Sequence, residues 1–277
     1  MIYGIQNGQI IVFDTSQFDI RQILDSGQVF RYQKLENIYK IVAKNVICHL
    51  KYENDHVIIN SSDTDFAINY FDLERDYNPI KEKLKKNNFI TKAVDYGNGI
   101  RILNQDPFEV IVTFIISANN NIPRIKGILN RLCESLGEDM GGHKAFPRLE
   151  EMAKRDEHFY KQIGLGYRAE YLVRTIDKIR EGFSLDLYDW DTSSARKHLM
   201  TLPGVGRKVA DCILLFGYHK EDVFPIDTWC RRVYRDFGLP PQKSCEKMAD
   251  AMSQKLKNLS GYAQQYLFYY YRDNKIL

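Results

Sequence analysis

A lysine in the C-terminal third of the chain has the setting for covalent chemistry. Residues 199–234, LMTLPGVGRKVADCILLFGYHKEDVFPIDTWCRRVY, are typical of a helix, a tight turn, a second helix, a loop and a third helix. Lys208 lies in the first turn of the second helix, which begins near Arg207. The positive end of the helix dipole disfavours an ammonium there and favours the free amine, a nucleophile able to form a Schiff base. A solvated surface lysine is the alternative interpretation.

The turn before Lys208 has the composition of a phosphate-binding hairpin. Pro203 ends the first helix, and Gly204 and Gly206 permit positive φ angles and close approach of the backbone to a ligand. The free backbone N–H groups at the start of the next helix would then face an anion such as a DNA phosphate. The same residues also suit a simple connector between two helices.

An aspartate follows the lysine by nineteen positions. Pro225 breaks the chain before a new helix, so Asp227 falls at a helix start, where its carboxylate can cap backbone N–H groups. A catalytic role and a capping role are compatible with each other. Cys212, four residues after Lys208, lies on the same helical face and either lines a shared pocket or is a buried structural cysteine.

The 277 residues are enough for about two domains. We predict an α+β fold, with an N-terminal antiparallel β-sheet containing few helices and a larger all-helical region with a helix-hairpin-helix motif, divided near residue 100. The predicted strands, rich in β-branched and aromatic residues, lie at 10–15, 29–34, 39–44, 46–52 and 56–60, around a short helix at 17–24. The predicted helices, the first capped by Asp106 with Pro107 at its first position, lie at 107–116, 122–137, 167–181, 193–200, 207–217, 226–236, 242–257 and 260–272.

The composition sets limits on location and partners. A net charge of only +3 permits nucleic-acid binding without requiring it, so a local site must carry that function. No apolar run approaches the ~18 residues of a membrane span, and the N-terminus lacks the pattern of a signal peptide. Five scattered cysteines form no CxxC pair, which argues against zinc and disulfides. We expect an intracellular protein, in the cytoplasm or with DNA in the nucleoid or nucleus, without a membrane partner.

Five sequence blocks follow one another along the chain. They are LDSGQVFRY (24–32), LNQDPFEVIVTFIISANNNIPRI (103–125), GLGYRAEYL (164–172), LPGVGRKVADC…FPID (202–227) and GYAQQYLF (261–268). In this order the blocks resemble the 8-oxoguanine DNA glycosylase/AP lyase family of the helix-hairpin-helix superfamily. The resemblance spans most of the chain and implies a TBP-like β-rich domain at 1–100 and a helical glycosylase domain at 101–277.

The resemblance implies roles for residues around a flipped base. Lys208 would attack C1′ of the damaged nucleotide, and Asp227 would stabilise the oxocarbenium charge. The carbonyl of Gly27 would accept the N7–H that distinguishes 8-oxoguanine from guanine. Phe268 and Cys212 would stack on opposite faces of the base. Gln264, which shares a helical face with Phe268, would read the Watson–Crick edge.

Four further residues would contact double-stranded DNA around the lesion. Asn119 would fill the vacated stack, Tyr167 would act as a wedge, and Arg124 and Arg168 would contact the opposite cytosine. The resemblance implies a monomer that needs no cofactor and no catalytic metal; the hairpin carbonyls are candidate ligands for a structural cation.

The chain departs from better-studied members at two positions. Trp229 replaces a histidine and Tyr271 an acidic residue, which puts a phosphate or pocket contact and the substrate breadth in question. Cys230 and Cys245 cannot supply the four-cysteine iron–sulfur cluster of the endonuclease III branch. Two other functions stay open, a glycosylase for other damaged purines and a non-catalytic DNA-binding module. A glycosylase for alkylated bases is disfavoured, because those enzymes typically lack the lysine.

Overall fold

The computed structural model describes residues 2–276, which form a β-sheet followed by an array of helices. The strands are β1 Tyr3–Gln6, β2 Gln9–Val12, β3 Tyr32–Leu35, β4 Ile38–Ala43, β5 Val46–Glu53 and β6 His56–Ser61. The helices are α1 Ile20–Asp25, α2 Thr64–Tyr70, α3 Asn78–Lys85, α4 Asn88–Tyr96, α5 Pro107–Ser117, α6 Ile122–Leu136, α7 Leu149–Ala153, α8 Glu157–Gln162, α9 Arg168–Arg180, α10 Thr192–Leu199, α11 Arg207–Tyr218, α12 Thr228–Asp236, α13 Cys245–Leu256 and α14 Ser260–Asp273.

The sheet is antiparallel throughout, in the order β1-β2-β6-β5-β4-β3. Its inner face follows the period of two that a half-buried strand requires, as in β4, where Tyr39, Ile41 and Ala43 are buried. The five predicted strands are confirmed. The sequence interpretation missed β1, whose short YGIQ segment is half exposed and pairs with β2 through a tight turn at Asn7 and Gly8.

The predicted helix at 17–24 is two elements. A 3₁₀ turn, Thr15–Gln17, is capped by Asp14. Helix α1 is capped by Asp19, whose carboxylate accepts a hydrogen bond from the backbone N–H of Gln22 at 2.8 Å. Phe18 between them is extended, with φ −152°. Two successive acidic caps therefore start two helical segments where the sequence pattern suggested one.

Helix α5 runs through the middle of the helical region. All residues from 110 to 116 are buried, as expected for a helix that is apolar on every side. Asp106 caps it, accepting from the Glu109 amide at 3.0 Å, and Pro107 is at its first position, as predicted. Within residues 2–276, no helix is long and apolar enough to cross a membrane.

Two hydrophobic cores underlie the two parts of the fold. One lies between the sheet, α1 and α2 and includes Phe71, Leu73 and Leu103. The other fills the helical region and includes buried residues from Tyr77 to Ile102. Helices α3 and α4 thus pack with the helical core although they precede residue 100, and the boundary near that residue stays a prediction.

Candidate active site

The hairpin between α10 and α11 is fixed by its own turns and by α9. Val205 N donates to Leu202 O at 3.1 Å, and the Thr175 hydroxyl on α9 donates to Pro203 O at 3.1 Å. Gly204 has φ +79°, and a Cβ there would lie 3.0 Å from the Tyr171 side chain. This position therefore requires glycine for its backbone conformation and for space.

Helix α11 begins at the hairpin, with Gly206 at the N-cap position. Glycine has no side chain to cap the helix, and no side chain among residues 2–276 takes its place at the first-turn N–H groups. Those groups and the positive end of the dipole suit a phosphate. Gly204 has the positive φ that the hairpin was expected to need, whereas Gly206 is extended with φ −86°. The phosphate-binding roles of both glycines stay predictions.

A buried carboxylate anchors the start of α11. Asp211 is inaccessible to solvent and accepts from Arg196 Nε at 2.6 Å and Arg207 Nε at 2.8 Å. Arg207 also donates to Asp250 at 2.6 Å, which joins α10, α11 and α13. Burial raises the pKa of Asp211, and the two guanidinium groups oppose that rise. The network holds in place the helical turn that carries Lys208.

Lys208 and Asp227 open onto one cleft of about 560 Å³. The hairpin-helix motif supplies the lysine, and the start of α12 supplies the aspartate. The cleft also contains Asn119 and Arg124, so it brings together four of the residues predicted for the site. Its wall is formed by Ser117, Ala118, Asn119, Asn120, Asn121, Arg124, Lys208, Ile226, Asp227, Thr228 and Arg231.

Lys208 is half buried between an aromatic ring and a thiol. Its Nζ lies 5.1 Å from the centroid of Phe114, a ring that stacks on Phe216 at 5.5 Å. Burial raises the pKa of the Cys212 thiol to about 11, although the Lys208 ammonium opposes that rise. Cys212 is therefore protonated at neutral pH and is a poor nucleophile. The nucleophilic role of Lys208 stays a prediction.

Asp227 caps α12, as predicted. Its Oδ1 accepts a hydrogen bond from the backbone N–H of Cys230 at 2.8 Å, which fixes the carboxylate at the cleft. Burial is also the main cause that raises the pKa of the Cys230 thiol well above its usual range, and the Asp227 charge acts in the same direction. Capping accounts for the position of the carboxylate and leaves a catalytic role open.

Gly27 and Phe268, 241 positions apart, are in contact. Gly27 has φ +78°, and a Cβ there would lie 2.9 Å from Phe268 Cε1 and 3.2 Å from Cζ. The turn is held by Gln28, which is fully buried; its amide nitrogen donates to Arg101 O at 2.7 Å and its amide oxygen accepts from Leu103 N at 2.8 Å. Gln28 is a positioning residue to which the sequence interpretation gave no role.

Gln264 is buried on α14, one turn before Phe268. Its amide nitrogen donates to Cys230 Sγ at 3.4 Å, and its amide oxygen accepts from Gln265 at 2.7 Å. Cys230 in turn donates its backbone N–H to Asp227. Each of the two amide atoms makes one of its two possible hydrogen bonds here, and the role of Gln264 in reading a base edge stays a prediction.

The residues predicted to contact DNA differ in exposure. Asn119 and Arg124 are exposed, and Asn119 has φ +49°. Tyr167 is 53% exposed, as a wedge must be. Arg168 is buried, and its guanidinium donates to Ala118 O at 2.7 Å and Asn119 O at 2.7 Å. In the described structure Arg168 thus holds the Asn119 loop, and its contact to the opposite base stays a prediction.

The two positions that depart from the family pattern have partners on the protein. Trp229 lies under the Arg232 guanidinium at 4.5 Å, and the buried Tyr271 donates to Asp236 at 3.0 Å. Arg231, which the sequence interpretation missed, lines the cleft and donates to Cys245 Sγ at 2.9 Å. Its spacing of four residues from Asp227 on α12 was the signal that could have placed it there.

Comparison with known proteins agrees with this arrangement. Residues 10–111 match the family described as the 8-oxoguanine DNA glycosylase N-terminal domain. Residues 112–264, more than half of the chain, match the HhH-GPD superfamily of base excision DNA repair proteins. The chain belongs to the 8-oxoguanine DNA glycosylase/AP lyase family. Gly27 lies in the first matched segment of this family member, and Lys208, Asp227 and Gln264 lie in the second.

Known relatives of this family member differ in sequence identity and in the share of the chain that they match. The Clostridium acetobutylicum 8-oxoguanine glycosylase/lyase, solved with double-stranded DNA containing cytosine opposite 8-oxoguanine, is 36% identical over both whole chains, with a TM-score of 0.94. The Saccharomyces cerevisiae N-glycosylase/DNA lyase is 36% identical over 53% of this chain and 44% of its own length. The Arabidopsis thaliana N-glycosylase/DNA lyase OGG1 is 32% identical over 61% and 51%. The match therefore spans about half the length of these two curated relatives.

Proposed function

We propose that the protein excises 8-oxoguanine from duplex DNA, preferentially opposite cytosine, and then nicks the strand at the resulting abasic site. The observation that carries this proposal is the cleft shared by Lys208, Asp227, Asn119 and Arg124. One cleft thus contains a nucleophile, a carboxylate and the residues assigned to DNA. The Clostridium relative supports the choice of lesion and of opposite base.

The reaction begins with extrusion of the damaged nucleotide. Unstacking of the nucleotide costs about a few kcal/mol. Insertion of exposed residues such as Asn119 and Tyr167 into the duplex, together with new contacts in the pocket, offsets this cost. The Lys208 amine attacks C1′, the C1′–N9 bond breaks, and the base departs with the electron pair of that bond. The Asp227 carboxylate stabilises the positive charge on the sugar.

The covalent intermediate then leads to strand cleavage. The nitrogen lone pair of the secondary amine then forms the C1′=N bond as the C1′–O4′ bond breaks, and O4′ takes up a proton from solvent to become a hydroxyl. The resulting protonated Schiff base makes the protons on C2′ acidic. Loss of a C2′ proton and departure of the 3′ phosphate by β-elimination cleave the strand 3′ to the lesion. Water releases the enzyme from the imine.

The Gly27 turn makes a test of base recognition. In Gly27→Ala, the new Cβ would meet the Phe268 ring at 2.9 Å and would require a strained backbone, which costs about 1–2 kcal/mol. We expect excision of 8-oxoguanine to fall about 10- to 100-fold, with DNA affinity nearly unchanged. Gly8→Ala is the control, because Gly8 has φ +74° with open space around it. Equal effects of the two variants on excision would show that Gly27 has no special role.

Arg124 is assigned to the opposite base. Its exposed guanidinium donates to Gly164 O at 3.2 Å and is free to reorient toward DNA. Arg124→Ala should reduce the preference for cytosine over adenine opposite the lesion by about 1–3 kcal/mol, the worth of one specific base contact. Excision rates on the two duplexes measure it, with Arg174→Ala on α9 as the exposed-arginine control. An unchanged preference removes Arg124 from this role.

An excision assay tests the proposal as a whole. Duplexes with 8-oxoguanine, another oxidised purine or an unmodified guanine opposite cytosine are incubated with the protein, and free base and nicked strand are measured. We expect release and nicking with 8-oxoguanine. Faster release of another purine would support a glycosylase with a different substrate. Salt-dependent binding without release would support the non-catalytic DNA-binding module.

A further inference from the structure

Arg272 lies one helical turn after Phe268 on α14 and contacts the turn at residues 25–28, which we call the recognition turn. Its Nη2 donates to the carbonyl oxygen of Asp25, two residues before Gly27. Its guanidinium carbon lies 5.1 Å from the centroid of the Phe268 ring. Its Nη1 lies 3.7 Å from the place that a Cβ on Gly27 would occupy. One side chain thus contacts the aromatic ring and the turn that together form the predicted base pocket.

We propose that Arg272 is a positioning residue for base recognition, which fixes the Phe268 ring against the Gly27 turn. This inference rests on the proposed function, in which Phe268 and Gly27 bind the flipped base. Asp25 and Arg272 are 247 positions apart in the chain, so their hydrogen bond joins the N-terminal part of the fold to α14.

The recognition turn is already held on its other side. Tyr32 on β3 donates to the Asp25 carboxylate at 2.6 Å, and Lys126 Nζ lies 3.4 Å from the Tyr32 ring centroid. Gln28 fixes the end of the turn through its buried amide. These contacts set the turn relative to the sheet and α6. Arg272 sets it relative to the helix that carries Phe268.

A guanidinium suits this position better than an ammonium. It is planar and delocalised, so it stacks on an aromatic ring while its N–H groups donate in the same plane. Arg272 Nη1 is buried beside the Gly27 turn and has no hydrogen-bond acceptor among residues 2–276, so one donor of the guanidinium is unpaired at the predicted pocket. Stacking and the hydrogen bond to Asp25 together fix the distance between the ring and the turn.

Loss of Arg272 should disturb the placement of the base and leave the chemistry at the sugar unaffected. An acceptor at Gly27 distinguishes 8-oxoguanine only if the base is stacked on Phe268 with its N7 edge at the carbonyl. A misplacement of about 1 Å in such a constellation costs on the order of 100-fold in rate. Lys208 and Asp227 lie on α11 and at the start of α12, outside these contacts. Loss of Arg272 should therefore affect only reactions that need the base.

A purely structural role makes a different prediction. A basic residue in the last turn of a helix stabilises that helix through the dipole. If Arg272 did only this, its loss would lower the melting temperature and reduce all activities of the protein alike. The comparison needed is thus between a substrate with the base and one without it.

The experiment compares Arg272→Leu with wild type on two duplexes. One contains 8-oxoguanine opposite cytosine, and the other contains a preformed abasic site opposite cytosine, which Lys208 can nick without any base. We expect single-turnover excision of 8-oxoguanine to fall about 10- to 100-fold, and nicking of the abasic duplex to stay within about twofold of wild type. Unchanged excision, or an equal fall in both reactions, would overturn the inference.

Two further variants sharpen the test. Arg272→Lys keeps the charge and a donor for the Asp25 carbonyl but lacks the planar stack, so we expect an excision rate between those of wild type and Arg272→Leu. Arg21→Leu removes an exposed arginine that pairs with the Asp25 carboxylate at 3.6 Å, and should leave both reactions unchanged. If Arg272→Leu does not fold, full excision by Arg272→Lys alone would overturn the inference.

Wild-type behaviour separates this inference from the function on which it rests. If wild type does not release 8-oxoguanine, the proposed function fails and the positioning role fails with it. If wild type releases the base and Arg272→Leu releases it equally fast, only the positioning role fails.

Discussion

Replacement of Lys208 by glutamine should abolish base excision while preserving the binding of lesion DNA. Glutamine is one atom shorter than lysine and stays polar, but it has no nucleophilic amine and loses the charge that lies over the Phe114 ring. Loss of the nucleophile should lower the single-turnover rate by about 10⁴- to 10⁶-fold, as in other enzymes that form covalent intermediates. The affinity for the 8-oxoguanine duplex should stay within about threefold of wild type, because the substitution removes only one positive charge near the DNA phosphates.

The control for Lys208→Gln is a change of charge away from the cleft. Lys92→Gln removes one positive charge from an exposed position on α4 and should leave excision unchanged. Thermal unfolding of both variants verifies that they are folded. Full excision by Lys208→Gln would remove the lysine from the mechanism, and a comparable loss in Lys92→Gln would show that the effect is one of net charge.

Replacement of Asp227 by asparagine should give the second-largest loss. The asparagine oxygen can still accept from the Cys230 amide, so the cap of α12 is kept while the negative charge is removed. We expect excision to fall about 10²- to 10³-fold, the usual effect of removing one group that stabilises transition-state charge. Stability should remain close to that of wild type. Excision rates and melting curves measure the two effects.

Asp227→Ala separates the two roles of this carboxylate. Alanine removes the charge and the cap together, so it should cost about 1 kcal/mol of stability beyond the loss of excision. If Asp227→Asn excises at the wild-type rate while Asp227→Ala does not, the residue acts as a cap alone. The charge is then unnecessary for catalysis.

Local patterns predicted the parts of the fold that depend on near neighbours. Short runs of β-branched and aromatic residues predicted the strands from β2 to β6, and Asp106 with Pro107 predicted the start of α5. Asp227 was predicted as a cap because Pro225 interrupts the chain just before it. Strand β1 was missed, because four residues with two exposed side chains carry too little pattern to be distinguished from a loop.

Local patterns could not predict contacts between residues that are far apart in the sequence. Asp211 is one of many aspartates in the sequence, and only the fold shows that Arg196 and Arg207 surround it in a buried position. The family resemblance assigned Gly27 and Phe268 to the same flipped base, but their contact with each other was not predicted, because no local rule relates positions 241 apart. Arg272 had no signal at all, since a basic residue at a helix end is ordinary.

The most direct test of the account is borohydride trapping on a duplex with one 8-oxoguanine opposite cytosine, with wild type and Lys208→Gln compared side by side. The account predicts a covalent protein–DNA adduct from wild type and none from the variant, because reduction fixes the Schiff base at Lys208. An equal adduct from the variant would contradict the assignment of the nucleophile. Base release by wild type without any adduct would contradict the covalent mechanism, and absence of both would contradict the proposed activity.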